Sequence, residues 1–314
     1  MLSVILRRTA LAVPTLFGVS IVVFLLMQVL PGDPVASFMT EDSTDAERQA
    51  MRAELGLDRP LPIRYFDWLT AALQGDLGYS LQRRREVLDL LTQAIGNTMV
   101  LALASAVFGI VAGVAIGFVA GIRRGSVVDR VVSVISLSGL SIPSFFLAIV
   151  LLAVFSGGLK WFPSGGAVLD EGLGTALRHL TLPVLAGSLV TMAITARVTR
   201  ASVVDVYSAD FIETLRAKGL SSTQINRHVM RNAISPVLTT SGVQIGALLG
   251  GSVLVETIFR WPGMGMLVFN AISSRDLLVV QGATLVIALC FVLINLAVDL
   301  AQAAIDPRVR AGVA

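Results

Sequence analysis

Side chains able to do covalent or metal chemistry are scarce in this sequence of 314 residues. His179 and His228 lie far apart, Cys290 is the single cysteine, and Lys160 and Lys218 are the two lysines. Two distant imidazoles argue against a histidine-based metal site. One cysteine permits no intrachain disulfide and says nothing about redox compartment. A phosphate-binding P-loop needs lysine directly after glycine, whereas Lys160 follows Leu159 and Lys218 follows Ala217. Neither HExxH nor GxSxG occurs. No catalytic residue, metal ligand or bound cofactor is therefore expected on this chain.

What polar chemistry there is gathers in "DFIETLRAKGLSSTQINRHVMRNAISPVL", Asp210 to Leu238. Its spacing predicts two short helices over residues 206–235. In the first, Phe211, Ile212 and Leu215 make an apolar face. Gly219 stands where a helix commonly ends in a left-handed turn. Ser221 and Gln224 have capping-box spacing for the second helix, which places Ile225, Val229 and Ala233 on one stripe and is expected to stop before Pro236. Arg216, Lys218, Arg227 and Arg231 occupy the other faces. By pattern alone, such a basic amphipathic segment could lie along lipid headgroups.

The elements that must hold this segment are apolar. The chain is 55% hydrophobic and 14% charged, with mean hydropathy +0.81, whereas soluble domains carry roughly 25% charged residues. Six blocks free of Asp, Glu, Lys and Arg could cross a bilayer: Thr9–Leu30, Asn97–Gly121, Val131–Leu159, Leu180–Ala196, Ala233–Val255 and Leu277–Val298. The first reads as a retained signal-anchor, since its apolar run exceeds a signal h-region and no small-x-small site follows. The fold class is therefore an all-α membrane protein of six transmembrane helices. With the N-terminus inside, the segments 1–8, 122–130, 197–232 and 299–314 hold 13 Lys and Arg, against 4 outside when the long 31–96 loop is set aside. That asymmetry selects N-in, C-in and puts the hairpin in the cytoplasm.

Outside, "STDAERQAMRAELGL" predicts a helix capped by Ser43 or Thr44 and ended at Gly56, and "PIRYFDWLTAAL" a second, amphipathic one. Tyr65 and Trp68 there suit either a membrane interface or plain packing. Glycines recur every fourth residue at Gly109, Gly113, Gly117 and Gly121, and again at Gly242, Gly246 and Gly250. Such stripes allow close helix approach, for tight packing or for sliding. Pro262 and Gly263 turn the chain before "MGMLVFNAI", which is apolar enough to dip back toward the membrane. Glu256, Asp299 and Arg197 stand at span edges, where solvation or snorkelling accounts for them. The expected division is 1–96 (first span and external helical subdomain), 97–305 (permease core of five helices) and 306–314 (cytoplasmic tail).

The hairpin carries a resemblance. Glu213-Thr214-Leu215, three residues, Gly219, nine residues and Val229 resemble the E-A-A-x3-G-x9-I loop of ABC importer permeases. "GDP" after the first span, "LSIPSFFLAI", "FRWPGMG" and "NLAVDLAQAAIDPRVR" resemble the dipeptide, oligopeptide and nickel permease family, in its B-type subunit, in order along essentially the whole chain. Thr214 and Leu215 replace the two alanines, and Arg231-Asn232 stand where the generic loop has Leu-Pro.

The resemblance implies the type I ABC importer permease fold and a coupling role for Glu213, Leu215, Arg216, Ala217, Lys218, Gly219, Leu220 and Ser221, docked into a separate ATPase. It implies a bacterial inner-membrane, multi-pass subunit that carries no ATPase site of its own. The implied partners are a second, homologous permease forming a heterodimer, two ABC ATPases holding ATP and Mg, an external solute-binding protein and membrane lipid, with no nucleic acid. Pro143, Phe145 and Phe146 in the third span and Gln244 in the fifth are candidates to face the translocation pathway, or else ordinary packing. Peptides are the expected cargo, with nickel chelate, opine or glutathione as alternatives. An intramembrane enzyme would need paired catalytic groups at membrane depth, and a passive channel a filter or charged ring; neither is found.

Overall fold

A computed structural model describes residues 2–29, 44–54, 56–168 and 171–305. The Gly32-Asp33-Pro34 motif, Ser43 as a cap and the tail 306–314 lie outside the described residues. The order is α1 (Leu2–Val29), α2 (Asp45–Glu54), α3 (Leu61–Leu73), a hairpin of β1 (Tyr79–Ser80) and β2 (Arg85–Glu86), and α4 (Val87–Ile122). Then follow α5 (Val127–Ser141), α6 (Ser144–Leu151), α7 (Leu173–Tyr207), α8 (Asp210–Ala217) and α9 (Ser222–Gly251). The chain closes with α10 (Val253–Ile258), α11 (Met264–Ser273) and α12 (Leu277–Ile305).

By length and composition, α4, α7 and Leu277–Val298 of α12 are each able to cross a membrane, and the α5–α6 pair can form a fourth span. The six expected spans correspond to α1, α4, α5–α6, α7, α9 and α12. The third is not one helix over Val131–Leu159. Its two halves are bent by 103°, because Pro143 has no N–H to continue α5 and drives Ile142 into extended backbone at φ −82°, ψ 119°. Beyond α6 the chain widens into a π-helical turn over Leu152–Gly158. Pro183 has no such effect: it is buried inside α7, which continues through it.

The most extensive helix pair is α4 with α7. Gly109, Gly113, Gly117 and Gly121 all face α7. A Cβ on Gly117 would lie 2.3 Å from the Ala196 carbonyl oxygen, and one on Gly113 2.8 Å from that of Met192. Contact at backbone distance makes this stripe a close-packed seam. The second stripe is realised only in part: a Cβ on Gly246 would meet Asn295 of α12 at 2.8 Å, whereas nothing lies within 4 Å of one on Gly250.

On the outer side Thr44 and Glu47 form the reciprocal cap of α2, Glu47 N donating to Thr44 Oγ1 (3.3 Å) and Thr44 N to Glu47 Oε2 (2.7 Å). The Thr44 amide, and then its hydroxyl at 2.9 Å, donate to Glu47 Oε2 and hold that carboxyl below its ordinary range. Tyr65 of α3 is buried against α1, its hydroxyl 2.7 Å from Ser20 Oγ and its ring edge-on to Phe24. The β-hairpin escaped sequence reading because its strands are two residues long. It is pinned where Ser80 Oγ donates to the buried Asp276 carboxylate and Gln82 Nε2 donates to Ser274 O at 2.8 Å. An outer core of Val87, Leu91, Leu267, Val279 and Ala283 joins α4, α11 and α12.

Glu256 corrects the span-edge reading. It is fully buried, at 0% exposure. Oε1 accepts from Thr98 Oγ1 (2.8 Å) and Ser252 Oγ (3.0 Å), and Oε2 from the amides of Gly265 (2.8 Å) and Met266 (3.2 Å). Sequence offered one clue to this role: an acidic residue shortly before a Gly-Met-Gly start that has no capping side chain of its own.

Candidate functional site

At the inner end, α7 stops at Ser208, whose amide still reaches Val204 O (3.2 Å) and whose hydroxyl donates to the same carbonyl (2.9 Å). A single extended residue, Ala209, then opens α8. Asp210 and Glu213 fall in the first turn of α8 and Arg216 in its last, the arrangement the helix dipole favours. Its end is a Schellman turn. Gly219 adopts φ +76°, Leu220 N donates to Leu215 O (3.2 Å), and Gly219 N to Arg216 O (2.9 Å). Ser221 and Gln224 then form the expected capping box of α9.

A small apolar core sets the angle between these helices. Val203 of α7, Ile212 of α8, and Ile225, Val229 and Ala233 of α9 are buried together, with Leu215, Leu220, Phe118 and Ile122 packed around them. The inward face of α8 is thus Ile212 and Leu215, while Phe211 is turned out at 39% exposure. Of the expected coupling residues, Glu213, Arg216, Ala217, Lys218, Gly219 and Ser221 are each exposed. Leu215 and Leu220 are half-buried and pack against the core.

The second helix does not stop before Pro236. It runs unbroken from Ser222 to Gly251 with Pro236 inside it, so the hairpin and the fifth span are one rod. Proline withdraws a single N–H there, and polar side chains bond nearby carbonyls: Asn232 Nδ2 to His228 O (2.8 Å) and Thr240 Oγ1 to Pro236 O (3.0 Å). Two polar ties fix the rods. Tyr207 hydroxyl donates to Asn226 Oδ1 across the α7–α9 angle, and burial pushes its phenol pKa up. Arg200 of α7 grips Asp129 at the cytoplasmic start of α5 in a two-point pair, Nη2 to Oδ2 at 2.9 Å. That hydrogen-bonded guanidinium, outweighing burial, holds the Asp129 carboxyl down to about 2. Beside the hairpin, Phe118, Asn226, Arg227, Met230 and Arg231 line an open groove of about 600 Å³.

The expected pathway residues separate into two groups. Gln244 lines a cavity of about 170 Å³ with Ser144, Ser105, Thr191 and Leu101, between α4, α6, α7 and α9. Pro143, immediately before Ser144, forms the corner of the bent span. Phe145 and Phe146 lie on an outer face, 43% and 55% exposed, and line no part of that cavity.

Comparison with known proteins adds to this geometry. Residues 113–311 match the family model described as binding-protein-dependent transport system inner membrane component, and residues 1–102 match the N-terminal model of such membrane components. The chain is 42% identical over 317 residues to a putative peptide permease protein of Brucella suis biovar 1, covering 99% of both. It is 40% identical over 311 residues to the glutathione transport system permease protein GsiC of Escherichia coli strain K12, again covering 99% of both. A structure of the MetNI methionine ABC transporter in an inward-facing conformation aligns with TM-score 0.56 and 19% identity, over 69% of this chain and 96% of that one. That last likeness is one of fold.

Proposed function

The chain belongs to the family of binding-protein-dependent transport system inner membrane components, and from that premise we propose that it is the permease subunit of an ATP-driven importer of short peptides, moved through its α8 hairpin. The observation that carries this reading is mechanical. The exposed surface of Glu213, Arg216, Ala217, Lys218 and Gly219 sits on a corner whose two arms, α7 and α9, are unbroken helices entering the membrane. A push on that corner displaces both spans together. The chain has no nucleotide-binding motif, so the work comes from separate ATPase subunits holding ATP and Mg. The basic C-terminal end of α8, Arg216 and Lys218, suits acidic groups on such a subunit.

The complex consists of this chain, a second homologous permease, two ATPases and an external solute-binding protein in the bacterial inner membrane. The route runs between the two permeases. Pro143, Phe145, Phe146 and Gln244 are its candidates: Phe145 and Phe146 are exposed on this chain and so open to a route shared with a second permease, and Gln244 lines the cavity beside Ser144. Peptide cargo is supported by relatives named for peptide and for glutathione, itself a tripeptide. Within this proposal residues 1–96 form the first span with the external subdomain and 97–305 the transport core, although α4 runs through that boundary from Val87.

Gly219→Val and Glu213→Lys test the reading. Nothing lies within 4 Å of a Cβ at Gly219, so the penalty there is conformational, roughly 1–2 kcal/mol for a left-handed residue and worse for a β-branched one. Both variants are expected to insert and to co-purify with the second permease, yet to lose ATP-dependent uptake and stimulated hydrolysis. Gly219→Ala should lose less. Normal uptake by both variants would remove the coupling assignment.

A further inference from the structure

We propose that Glu256 is a positioning residue for transport: its carboxylate makes α4, α10 and α11 one rigid outer block, which the α4–α7 seam ties to the α8 hairpin. The inference rests on the importer reading above and deepens it by naming how motion at the inner face reaches the outer one.

Helix α11 begins without a cap of its own, because Gly263 stands at its N-cap position. Its first amides would be buried orphans. Other elements satisfy them. Met264 N donates to Thr98 Oγ1 of α4 (2.8 Å), and Gly265 N and Met266 N donate to Glu256 Oε2 (2.8 and 3.2 Å). The other oxygen of the same carboxylate accepts from Thr98 and from Ser252 at the α9–α10 junction. Four donors from three places thus converge on one side chain. A neutral cap has a single acceptor oxygen and cannot serve all four.

The backbone is fitted to that carboxylate. A Cβ on Gly263 would lie 2.4 Å from Glu256 Oε2, and one on Gly265 2.5 Å from Val253 Cα. A second tie runs beside the first: Trp261, fully buried, donates Nε1–H to Asn97 O (2.9 Å), and Asn97 Nδ2 donates to Pro262 O (2.9 Å). From Thr98, α4 continues inward without a break to Ile122 and meets α7 along the glycine seam. Between Ser188 and Tyr207, α7 contains neither glycine nor proline. No glycine or proline therefore interrupts α7 between the seam and Tyr207, where Ser208 and Ala209 lead into α8, and the outward-facing Phe269 and Ile272 of α11 move with that inner end of α7.

Paired spin labels in the purified complex test this, after Cys290→Ser. One pair joins Ser273→Cys on α11 to Ser208→Cys beside α8; a control pair joins Thr92→Cys on outer α4 to the same Ser208→Cys. With Glu256 present, both distance distributions are expected to be narrow and unchanged on trapping with ATP and vanadate. Glu256→Ala should widen the α11 pair at least about twofold and leave the control pair narrow. Glu256→Gln keeps an acceptor toward the α11 amides but none for Thr98 and Ser252, and should widen the α11 pair to an intermediate extent while leaving the control pair narrow. If Glu256→Ala does not assemble, Thr98→Val decides, since it cuts both bonds that Thr98 of α4 makes here, to Glu256 and to Met264 N, while leaving Glu256 on the α11 amides, and it should widen the same pair. A narrow α11 pair in the deciding variant, equal widening of both pairs, or a shift of the α11 pair on trapping would overturn the proposal. Vanadate trapping itself is scored separately and reports on the importer reading, so the two can fail independently.

Discussion

Gly117 and Thr195 sit on one seam yet answer to opposite rules. A methyl group at Gly117 must displace the backbone of α7, and overpacking of this kind costs about 1–3 kcal/mol or more. Thr195 is fully buried and its hydroxyl has no hydrogen-bond partner, so removing that hydroxyl removes a desolvated polar group of about 1–3 kcal/mol. Gly117→Ala should therefore lower the thermal midpoint in detergent clearly, whereas Thr195→Val should leave it unchanged or raise it. An unchanged or raised midpoint for Gly117→Ala would mean that α4 and α7 are not held by backbone contact. The same scale explains what sequence reading saw of the hairpin. Gly219, Ser221 and Gln224 act through their own backbone, so a linear pattern reveals them. Glu256 acts on amides of α11 and on Thr98, which is 158 residues away; no local pattern encodes that, and a span-edge carboxylate looks merely solvated.

At the scale of elements, the apolar blocks announced α4, α7 and α12, since uninterrupted hydrocarbon is a property of composition. Prolines were less legible, because their consequences depend on what surrounds them. Pro143 breaks the third span into a 103° corner, Pro183 is absorbed within α7, and Pro236 leaves α9 continuous. In lipid, neighbouring polar side chains and packed helices decide which outcome holds. It follows that Pro236→Ala should change stimulated ATP hydrolysis by no more than about twofold, since helix continuity is already complete there. Inserting two glycines after Ser235 should abolish stimulation while the complex still assembles. If the insertion were tolerated, α9 would not be acting as a rod. The external hairpin of β1 and β2 escaped notice because its strands are two residues long and its anchors, Asp276 and Ser274, come from the far end of the chain.

For the whole molecule, three buried clusters lie in the outer subdomain, among α4, α6, α7 and α10, and at the hairpin, and α4, α7 and α9 are each continuous helices. A chain built this way, lacking nucleotide chemistry, transmits work supplied at its inner corner. The account stands or falls on what touches that corner. The most direct measurement places a photo-cross-linker at Lys218, in a Cys290→Ser background, within membranes of the producing cell. The expected product is this chain joined to an ATP-binding subunit, formed strongly from Lys218 and absent when the cross-linker sits at Arg84 on the external hairpin. A cross-linker at Lys218 that captured no ATPase, or that could be reached by a reagent confined to the outer side, would contradict the account.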